Sequence, residues 1–400
     1  EQRLASVATQ PVVVGHRLWV AEKDTHRVRC LDARSGQPLW QFTAGGRVDS
    51  SPTIYGGYVL FGCGDGFVYC LRASDGVLAW RFRAAPGPER LVSYEQVESL
   101  WPVHGSVLVQ DGTAYFAAGR SSFLDGGIVV YAVDVATGQV KGHHLLEGPW
   151  PDITEEVGTP FAMEGALPDL FVSDGTNLFM QRIKFDAELN RLPTRQLSPL
   201  GELDMGSDHL VPTGGFLDDT GFDRVYWMHS PLWPGFYFAQ HAPKAGQLVV
   251  FDDTATFAVK YFYQRYQWSP RFVPADAGYL LFADDIDNQP DLAKDNKDMG
   301  LRWLPEESYT SQYRRGGRGS EKGTGYIRRK PSRWQQFIPV RVRAMAITDD
   351  FLLVVGPPDI VDSQDPLAAL EGRQGSCLQV YSKQDGSLVD SVQLSESPVF

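Results

Sequence analysis

The sequence predicts an all-β fold, a β-propeller of seven to eight four-stranded blades with loop insertions, on three observations. Residues 11–42 and 52–82 repeat one pattern, in which Trp40 and Trp80 occupy equivalent positions 40 residues apart. Each unit holds four short runs of β-branched and aromatic residues, separated by Gly, Asp or Ser, as in an antiparallel meander. The 400 residues include 40 Gly and 26 Pro, which suits a chain rich in turns. A period near 40 residues with four strands is typical of a propeller blade.

The whole chain, residues 1–400, is predicted to form a single propeller domain. Blades are expected to start near residues 11, 51, 104, 158, 208, 268 and 341. Residues 397–400 resemble the opening of the first strand at residues 50–53, so they are predicted to begin an eighth blade. Closure of the blades into a ring explains how so many short strands avoid exposed edges.

Three segments interrupt the repeat. Residues 85–103 carry a short helical pattern, and residues 230–246 are rich in aromatic residues and proline. Residues 285–338 form the largest predicted insertion, which is acidic in its first part and basic in its second. Long loops in a compact domain are usually functional or disordered. The basic part could bind a polyanion, but a mobile loop that neutralises an acidic body is the favoured interpretation.

Charge and composition narrow the function classes. The net charge is −12, so the general surface is not expected to bind nucleic acid, which requires clustered Lys and Arg. No apolar run approaches the ~20 residues of a membrane helix. The opening EQRLASVATQ lacks a signal pattern, and the chain is interpreted as a mature product or a fragment. The four cysteines have no CxxC spacing, which disfavours zinc knuckles and covalent haem attachment.

Residues 31–40, LDARSGQPLW, resemble the PQQ-type propeller repeat, A-x-D-x-x-T-G-x-x-x-W. In that family the Trp of one blade stacks on the Gly-bearing turn of the next. The resemblance therefore implies that Trp40 and Trp80 are structural staples between blades. Gly138 and Gly386 match the turn glycine, but Gly142 and Asp390 stand where the Trp of those units is expected.

Longer stretches, among them GGRVDSSPTI and AAGRSSFLDGGI, resemble a bacterial subfamily of PQQ-binding-like propeller repeat proteins. The resemblance implies either a quinoprotein dehydrogenase with PQQ and calcium, or a non-catalytic scaffold like that of the outer-membrane β-barrel assembly machinery. The chain lacks the adjacent cysteines of many such dehydrogenases, and their Glu, Asn and Asp set cannot be placed on it. We therefore expect a non-catalytic propeller, periplasmic or extracellular, that binds a partner protein or a glycan. The alternatives are a PQQ- and calcium-dependent dehydrogenase and a propeller lyase acting on uronates.

Polar residues near the predicted first strands, and in the loop at 119–127, are the candidate ligand-binding residues. They are His104, Arg120, Ser121, Ser122, Asp125, Asp208, His209, His229, Arg271, Arg341 and Arg343. Arg offers a bidentate fork to carboxylates, so an anionic or sugar-like ligand is expected. His104, Arg120, Asp125, Arg341 and Arg343 are predicted to border one cavity. The alternative is that these residues only fill a wet channel.

Catalytic motifs are weak. Asp285, Asp287 and Asp291 alternate as oxygen ligands of calcium do, but the Gly and Glu of an EF-hand loop are missing, so a solvated acidic loop is favoured. Neither a G-x-S-x-G elbow nor an HExxH motif occurs, and no catalytic residue is assigned.

Overall fold

The structure is a computed structural model. It describes residues 8–93, 95–148, 170–196, 203–212, 227–233, 244–260, 278–288, 290–292, 302–303, 325–328, 330–358, 364–368, 371 and 373–396. All regular structure in these ranges is β, arranged as seven four-stranded antiparallel blades. The predicted fold class, an all-β propeller, is confirmed. The chain divides into two compact units: residues 1–193 with 215–218, and residues 194–214 with 219–400.

Unit 1 contains four blades and one inserted hairpin. The strands of blades one and two are β1 (Val12–Val14), β2 (Arg17–Glu22), β3 (Arg27–Asp32), β4 (Pro38–Thr43), β5 (Thr53–Tyr55), β6 (Tyr58–Gly62), β7 (Phe67–Arg72) and β8 (Leu78–Arg83). The hairpin and blades three and four follow as β9 (Arg90–Ser93), β10 (Gln96–Ser99), β11 (Leu108–Gln110), β12 (Thr113–Ala118), β13 (Ile128–Asp134), β14 (Val140–Leu146), β15 (Phe171–Ser173), β16 (Leu178–Met180), β17 (Ile183–Phe185) and β18 (Arg191–Leu192).

Unit 2 contains three blades and one inserted three-stranded sheet. Blade five consists of β19 (Arg195–Gln196), β20 (Leu203–Pro212), β21 (Trp227–Trp233) and β22 (Ala245–Gly246). Blade six consists of β23 (Leu248–Phe251), β24 (Ala255–Lys260), β25 (Tyr279–Asp285) and β29 (Trp334–Ile338), and the inserted sheet of β26 (Pro290–Leu292), β27 (Arg302–Trp303) and β28 (Gly325–Arg328). Blade seven consists of β30 (Ala344–Ile347), β31 (Phe351–Gly356), β32 (Ser376–Ser382) and β33 (Leu388–Leu394).

The repeat motif builds the turn between the third and fourth strands of a blade. In blade one the carboxylate of Asp32 accepts a hydrogen bond from the backbone N–H of Ser35 (2.8 Å), and Asp134 does the same for Thr137 in blade three (3.0 Å). The turn then needs a positive φ, which Gly36 supplies at 69°. Glycine adopts this conformation without steric cost, so the Asp and the Gly of the motif together determine where the fourth strand begins.

Tryptophan side chains join consecutive blades at these turns. A Cβ placed on Gly76 would lie 2.6 Å from the ring of Trp40, and one on Gly138 would lie 2.9 Å from the ring of Trp80. The indole N–H of each Trp also donates to a backbone carbonyl of the same turn, at 3.1 Å for Trp40 and 2.8 Å for Trp80. Each Trp therefore packs on a surface that only glycine leaves open.

Unit 2 contains a third staple, which the sequence analysis missed. The ring of Trp334 lies 2.6 Å from a Cβ placed on Gly386, and its N–H donates to the carbonyl of Lys383 (3.0 Å). Trp334 was assigned to the insertion at residues 285–338, but residues 334–338 are the fourth strand of blade six. Because more than forty residues separate this strand from β25, its place in the blade was hidden in the sequence.

Several predicted boundaries differ from the structure. The segment 85–103 contains the hairpin β9–β10 rather than a helix, since Val92 pairs with Val97 and Leu91 with Glu98 across two strands. Blade five begins at Arg195 and blade six at Leu248, not near residues 208 and 268, because two strands assigned to blade five belong to blade six.

Other boundaries agree or stay untested. Blades one, two and seven begin within a few residues of the predicted starts, and blade three begins at Leu108. For blade four the first described strand begins at Phe171, and residue 158 lies outside the described residues. The predicted eighth-blade strand, residues 397–400, also lies outside them. The described part of the chain contains no helix long and apolar enough to cross a lipid bilayer.

Candidate functional site

Five charged or ionisable side chains of unit 1 form a buried group that we call the loop-face cluster. Its members are Arg47, Asp49, Glu98, His104 and Arg120. Arg47 and Asp49 lie in the loop before β5, and His104 lies in the loop before β11. Glu98 lies on β10, and Arg120 follows β12. In an antiparallel meander these loops lie at the same end of the blades, so the topology brings the five side chains together.

The contacts run from one arginine to the other. Arg47 Nε lies 3.1 Å from Asp49 Oδ1, and His104 Nδ1–H donates to Asp49 Oδ2 at 2.6 Å. The other ring nitrogen of His104 faces Glu98 Oε2 at 3.7 Å, which is too long for a hydrogen bond. Arg120 Nη2 lies 2.9 Å from Glu98 Oε1. Each carboxylate therefore has one arginine partner and one side facing the imidazole.

The electrostatics follow from burial and pairing. The side chains of Asp49, Glu98 and His104 are almost completely buried. Burial alone would raise the pKa of Asp49, but the hydrogen bond and charge of His104, together with Arg47, lower it below the ordinary carboxyl value. Removing charges from water costs several kcal/mol each, and the cost is offset only when every charge has a well-placed partner. The cluster therefore fixes the three loops that carry it in one arrangement.

The hairpin β9–β10 is attached to the blades through this cluster and through further hydrogen bonds. Ser99 N–H donates to the carbonyl of Gly64 (2.8 Å), and His26 Nε2–H donates to the side chain of Gln96 (2.8 Å). The indole N–H of Trp101 donates to the carbonyl of Asp125 (2.9 Å), which joins the segment after the hairpin to the loop 119–127. The hairpin and this loop thus form one supported surface.

Four large apolar side chains on the hairpin and on the loop 119–127 are exposed, and we call them the hairpin patch. They are Val92 (72% exposed), Val97 (56%), Phe123 (51%) and Leu124 (55%). Val92 and Val97 are directly paired across the hairpin. Apolar side chains gain free energy when they leave water, so these exposed groups are available for contact with another molecule.

The other predicted residues of the loop 119–127 shape its backbone. Ser121 Oγ accepts from the N–H of Phe123 (3.2 Å), and the carbonyl of the buried Ser122 accepts from Gly148 (2.7 Å). Asp125 adopts a positive φ of 55° with its side chain exposed. These residues position the loop that carries Phe123 and Leu124.

Two of the predicted residues of blade five, Asp208 and His229, lie near a buried lysine in unit 2. Lys244 is fully buried, its Nζ donates to the carbonyl of Ile286 (2.8 Å), and it lies 3.7 Å from Asp208 Oδ1. Burial lowers the pKa of Lys244, although Asp208 and Asp284 act in the opposite direction. His209 is buried, and its Nδ1–H donates to the carbonyl of Ser207 (2.8 Å).

His229 is also buried, and its ring stacks on Phe251 with 4.8 Å between centroids. Burial, with the nearby Lys244 charge, lowers the pKa of His229 to about 4. An uncharged imidazole that packs on an aromatic ring fills a core position. The surroundings of His229 therefore favour a packing role over ligand binding.

The three other predicted arginines, Arg341, Arg343 and Arg271, belong to later segments of the chain. Arg341 and Arg343 precede β30 rather than lying on it, and the guanidinium of Arg341 lies 5.8 Å from the ring centroid of Tyr279. Arg271 lies outside the described residues. The structure brings His104 and Arg120 together through Glu98. The larger prediction, one cavity shared with Arg341 and Arg343, stays a prediction.

Two of the three calcium candidates, Asp285 and Asp287, are paired with cationic side chains. Asp285 pairs with Arg333 and Lys330, and Asp287 pairs with Lys330 (2.9 Å). Asp291 lies on β26. Within the described ranges, no three His, Cys, Asp or Glu side chains are grouped as metal ligands. The carboxylates of Asp285 and Asp287 are therefore neutralised by lysine and arginine side chains.

Sequence reasoning missed Arg47, Asp49 and Glu98, which hold the two predicted residues of the cluster. Arg47 and Asp49 belong to GGRVDSSPTI, a stretch that carries the family resemblance, so a charged pair directly before a first strand was an available signal. Glu98 had no such signal, because its segment was interpreted as helical.

One known protein family matches the repeat-containing first half of the chain. A PQQ-type repeat family, described as outer membrane protein assembly factor BamB, matches residues 2–191, slightly less than half of the chain. Residues 2–191 are therefore similar to PQQ-type propeller repeats. The match covers blades one to three and extends into blade four, and it includes the whole loop-face cluster. No curated protein matches the chain.

Solved structures similar to the chain include two quinohemoprotein alcohol dehydrogenases and BamB. The quinohemoprotein alcohol dehydrogenases of Pseudomonas putida and Comamonas testosteroni are each 12% identical to the chain, with TM-scores of 0.47 and 0.49. The alignments cover 97% and 98% of this chain, and 66% and 67% of those proteins. BamB of Moraxella catarrhalis is 11% identical, with a TM-score of 0.33 and coverage of 96% of this chain and 75% of that one. The chain thus spans about two thirds of the length of the two dehydrogenases.

Proposed function

We propose that the chain is a non-catalytic binding or scaffolding propeller that holds a partner protein on the loop face of unit 1. The observation that carries this proposal is the hairpin patch, four exposed apolar side chains on a hairpin and a loop that the buried loop-face cluster holds in place. A surface that is already rigid loses little conformational entropy on binding, so more of the contact energy appears as affinity. The cluster supplies rigidity, and the patch supplies contact area.

The chemistry of the patch favours a protein over a glycan. Val92, Val97 and Leu124 offer no hydrogen-bonding groups, whereas the hydroxyls of a glycan need such partners once they leave water. Exposed charges of both signs, Arg90 and Glu95, flank the apolar centre. An apolar centre with a polar rim is the usual anatomy of a protein–protein interface.

The proposed compartment is the cell envelope, on its periplasmic or extracellular side. It rests on the matched family, whose description names an outer membrane assembly factor. The net charge of −12 agrees with a protein partner rather than nucleic acid.

A crosslinking experiment tests the proposal. A photo-crosslinking amino acid is placed at Val92 and, as a control, at Val77, which is 53% exposed in the turn between β7 and β8 at the opposite end of the blade. In the native envelope fraction we expect a discrete adduct from position 92 and none from position 77. The double variant Val92→Ser, Phe123→Ser should lose affinity for the purified adduct partner at least tenfold, and Val77→Ser should not.

Three outcomes contradict the proposal. Equal adducts from both positions would show that the patch has no specificity. Binding of a glycan that Val92→Ser abolishes would replace the protein partner with a carbohydrate. Dye reduction that depends on added PQQ, calcium and an alcohol would show that the chain is an enzyme.

A further inference from the structure

The hairpin β9–β10 is a two-stranded sheet that belongs to no blade. The N–H of Leu100 donates to the carbonyl of Glu89 (3.1 Å), so these two residues form a hydrogen-bonded pair across the hairpin. Hydrogen-bonded and non-hydrogen-bonded pairs alternate along an antiparallel ladder. The register therefore directs the N–H and C=O groups of Arg90 and Val92 outward from β9, away from β10.

The outer edge of β10 is attached to the blades. The same alternation directs the backbone groups of Ser99 outward from β10, where its N–H donates to the carbonyl of Gly64 (2.8 Å). The carbonyl of Ser99 accepts a hydrogen bond from Arg120 Nη2 (3.3 Å). Because β9 lies on the other side of β10, its outer edge points away from Gly64 and Arg120.

The outer edge of β9 is open within the described residues. In that part of the chain, β10 is the only strand that pairs with β9. No other described residue forms a hydrogen bond with the outward backbone groups of Arg90 or Val92. Val92 is 72% exposed, and Arg90 is exposed as well. A strand edge of this kind is a template for pairing with a further strand.

We propose that β9 of one copy of the chain pairs with β9 of a second copy, antiparallel and across a two-fold axis. The two hairpins then form one four-stranded sheet, in which the two β9 strands are central and the two β10 strands are outside. An isolated two-stranded hairpin is marginally stable, whereas a sheet of three or more strands with an apolar face is not. Because both copies use the same surface, the contact closes at a dimer.

The sequence of β9 selects one register for this pairing. A two-fold axis at Leu91 places Arg90 opposite Val92 of the second copy, so the outward groups of both residues form hydrogen bonds. An axis at Arg90 would set two like charges opposite each other and would place Val92 against Pro88, which has no N–H. An axis at Val92 would leave Arg90 without an opposing strand residue, because β9 ends at Ser93.

The side chains that meet in this register are compatible with one another. Leu91 lies opposite its own copy, in a non-hydrogen-bonded pair, where two antiparallel strands approach most closely. Glu89 lies opposite Ser93, whose hydroxyl is a donor for the carboxylate. No like charges stand directly opposite each other, and this self-complementarity favours a second copy as the occupant. The strand is only four residues long, so the dimer should be weak and reversible.

The pairing leaves the hairpin patch accessible. Val92 and Val97 are directly paired, so their side chains project from the same face of the hairpin. The dimer contact uses the backbone edge of β9 rather than that face. The dimer is therefore independent of the partner protein proposed above, and either proposal can fail without the other.

Disulfide trapping tests the register. Single cysteines replace Leu91 or Val92 in a Cys377→Ser background, in which the three other native cysteines are buried. After mild treatment with oxidised glutathione, we expect Leu91→Cys to form a disulfide-linked dimer, because the two thiols face each other across the axis. Val92→Cys should form at least tenfold less, because its two copies stand diagonally across the ladder. Val92 is more exposed than Leu91, so random collision would give the opposite order.

Proline variants test the hydrogen bonds of the edge. Val92→Pro removes an N–H that points outward from β9, and Val97→Pro removes its counterpart on β10, so both variants keep the bonds within the hairpin. In sedimentation equilibrium, Val92→Pro should weaken dimerisation at least tenfold, and Val97→Pro should leave it unchanged. Thermal unfolding checks that both variants are folded.

Three outcomes overturn the proposal. A monomer at every concentration, with no trapped dimer from Leu91→Cys, would show that the edge of β9 stays unpaired. As much trapping from Val92→Cys as from Leu91→Cys would indicate collision or another register. Equal loss of the dimer in both proline variants would show that the association uses another part of the hairpin.

Discussion

Two regions of unit 1 hold neighbouring segments together by opposite means. Blades one and two meet through an apolar interface in which Trp40 lies on Gly76 and Phe42 lies 5.7 Å from Tyr69. The loop-face cluster joins the loops before β5 and β11 to the hairpin through charged groups. The apolar interface recurs between other blades, whereas the cluster of Asp49, Glu98 and His104 belongs to one place.

The difference teaches what each region is for. Apolar burial tolerates variation and adds stability in proportion to area, so it can repeat from blade to blade. A buried ionic group adds little net stability, but it penalises every arrangement in which a partner is missing. The interface therefore stabilises the propeller, and the cluster determines where the hairpin patch stands.

Removal of a staple should give the largest effect on stability. Trp40→Ala should lower the free energy of unfolding by ~3–5 kcal/mol, since it deletes a large packed aromatic side chain. Leu39→Ala, at a 49% exposed position on the same strand, should change it by less than about 0.5 kcal/mol. Urea unfolding measures both. Equal losses for the two variants would refute the stapling role.

Neutralisation of one charge in the cluster should come next. Glu98→Gln should cost about 2–3 kcal/mol, because it removes a buried charge and leaves the partly buried guanidinium of Arg120 without its counter-charge. Asp75→Asn, in the exposed pair with Arg72, should cost much less, because water already screens that pair. The same urea experiment compares the two. If both pairs prove equally dispensable, the cluster is not a rigid support.

The pH dependence of stability should distinguish the loop-face cluster, which contains ionisable groups, from the apolar interface between blades one and two. Pairing with His104 and Arg47 lowers the pKa of Asp49, so below the ordinary carboxyl value the unfolded chain binds a proton that the folded chain does not. Stability from this group is complete above about pH 4 and declines as pH falls through the folded-state pKa. Asp49→Asn should flatten that part of the curve. An unchanged acid limb in the variant would assign the loss to other carboxylates.

The fold could be predicted because the residues that build each blade recur along the sequence. The spacing of Trp40 and Trp80, and the Asp and Gly of the turns, recur at the blade period, so one unit predicts the next. Prediction failed where insertions interrupt that period. Trp334 lies in a blade whose third and fourth strands are separated by an insertion, and blade five has a ten-residue second strand that hides its boundary.

The candidate site was only half predictable. His104 was a candidate because it lies near a predicted first strand, and Arg120 because it lies in the loop 119–127, but nothing local indicates that Glu98 would lie between them. His229 was chosen on the same grounds and proved to pack on Phe251. Residue type gives the capacity for chemistry, whereas the surroundings that decide its use come from segments far apart in the chain.

Glycine variants should sharpen the comparison within the repeat itself. Gly76→Ala and Gly36→Ala impose the same backbone strain, since both turns have a positive φ, 74° and 69°. Only the Cβ at position 76 meets a tryptophan, and the position at 36 is open. Gly76→Ala should therefore cost ~1–3 kcal/mol more than Gly36→Ala, the usual penalty of overpacking. Thermal unfolding of the pair, with equal shifts in Tm, would contradict the stapling geometry.

The smallest expected effect concerns the polar half of a staple. Trp334→Phe keeps an aromatic ring over Gly386 but removes the N–H that donates to the carbonyl of Lys383. We expect a loss of about 1 kcal/mol, typical of one hydrogen bond, and a much larger loss for Trp334→Ala. Urea unfolding gives both values. If Trp334→Phe were as damaging as Trp334→Ala, the indole N–H rather than the ring would be the main contact, and the staple would act chiefly as a hydrogen bond between blades six and seven.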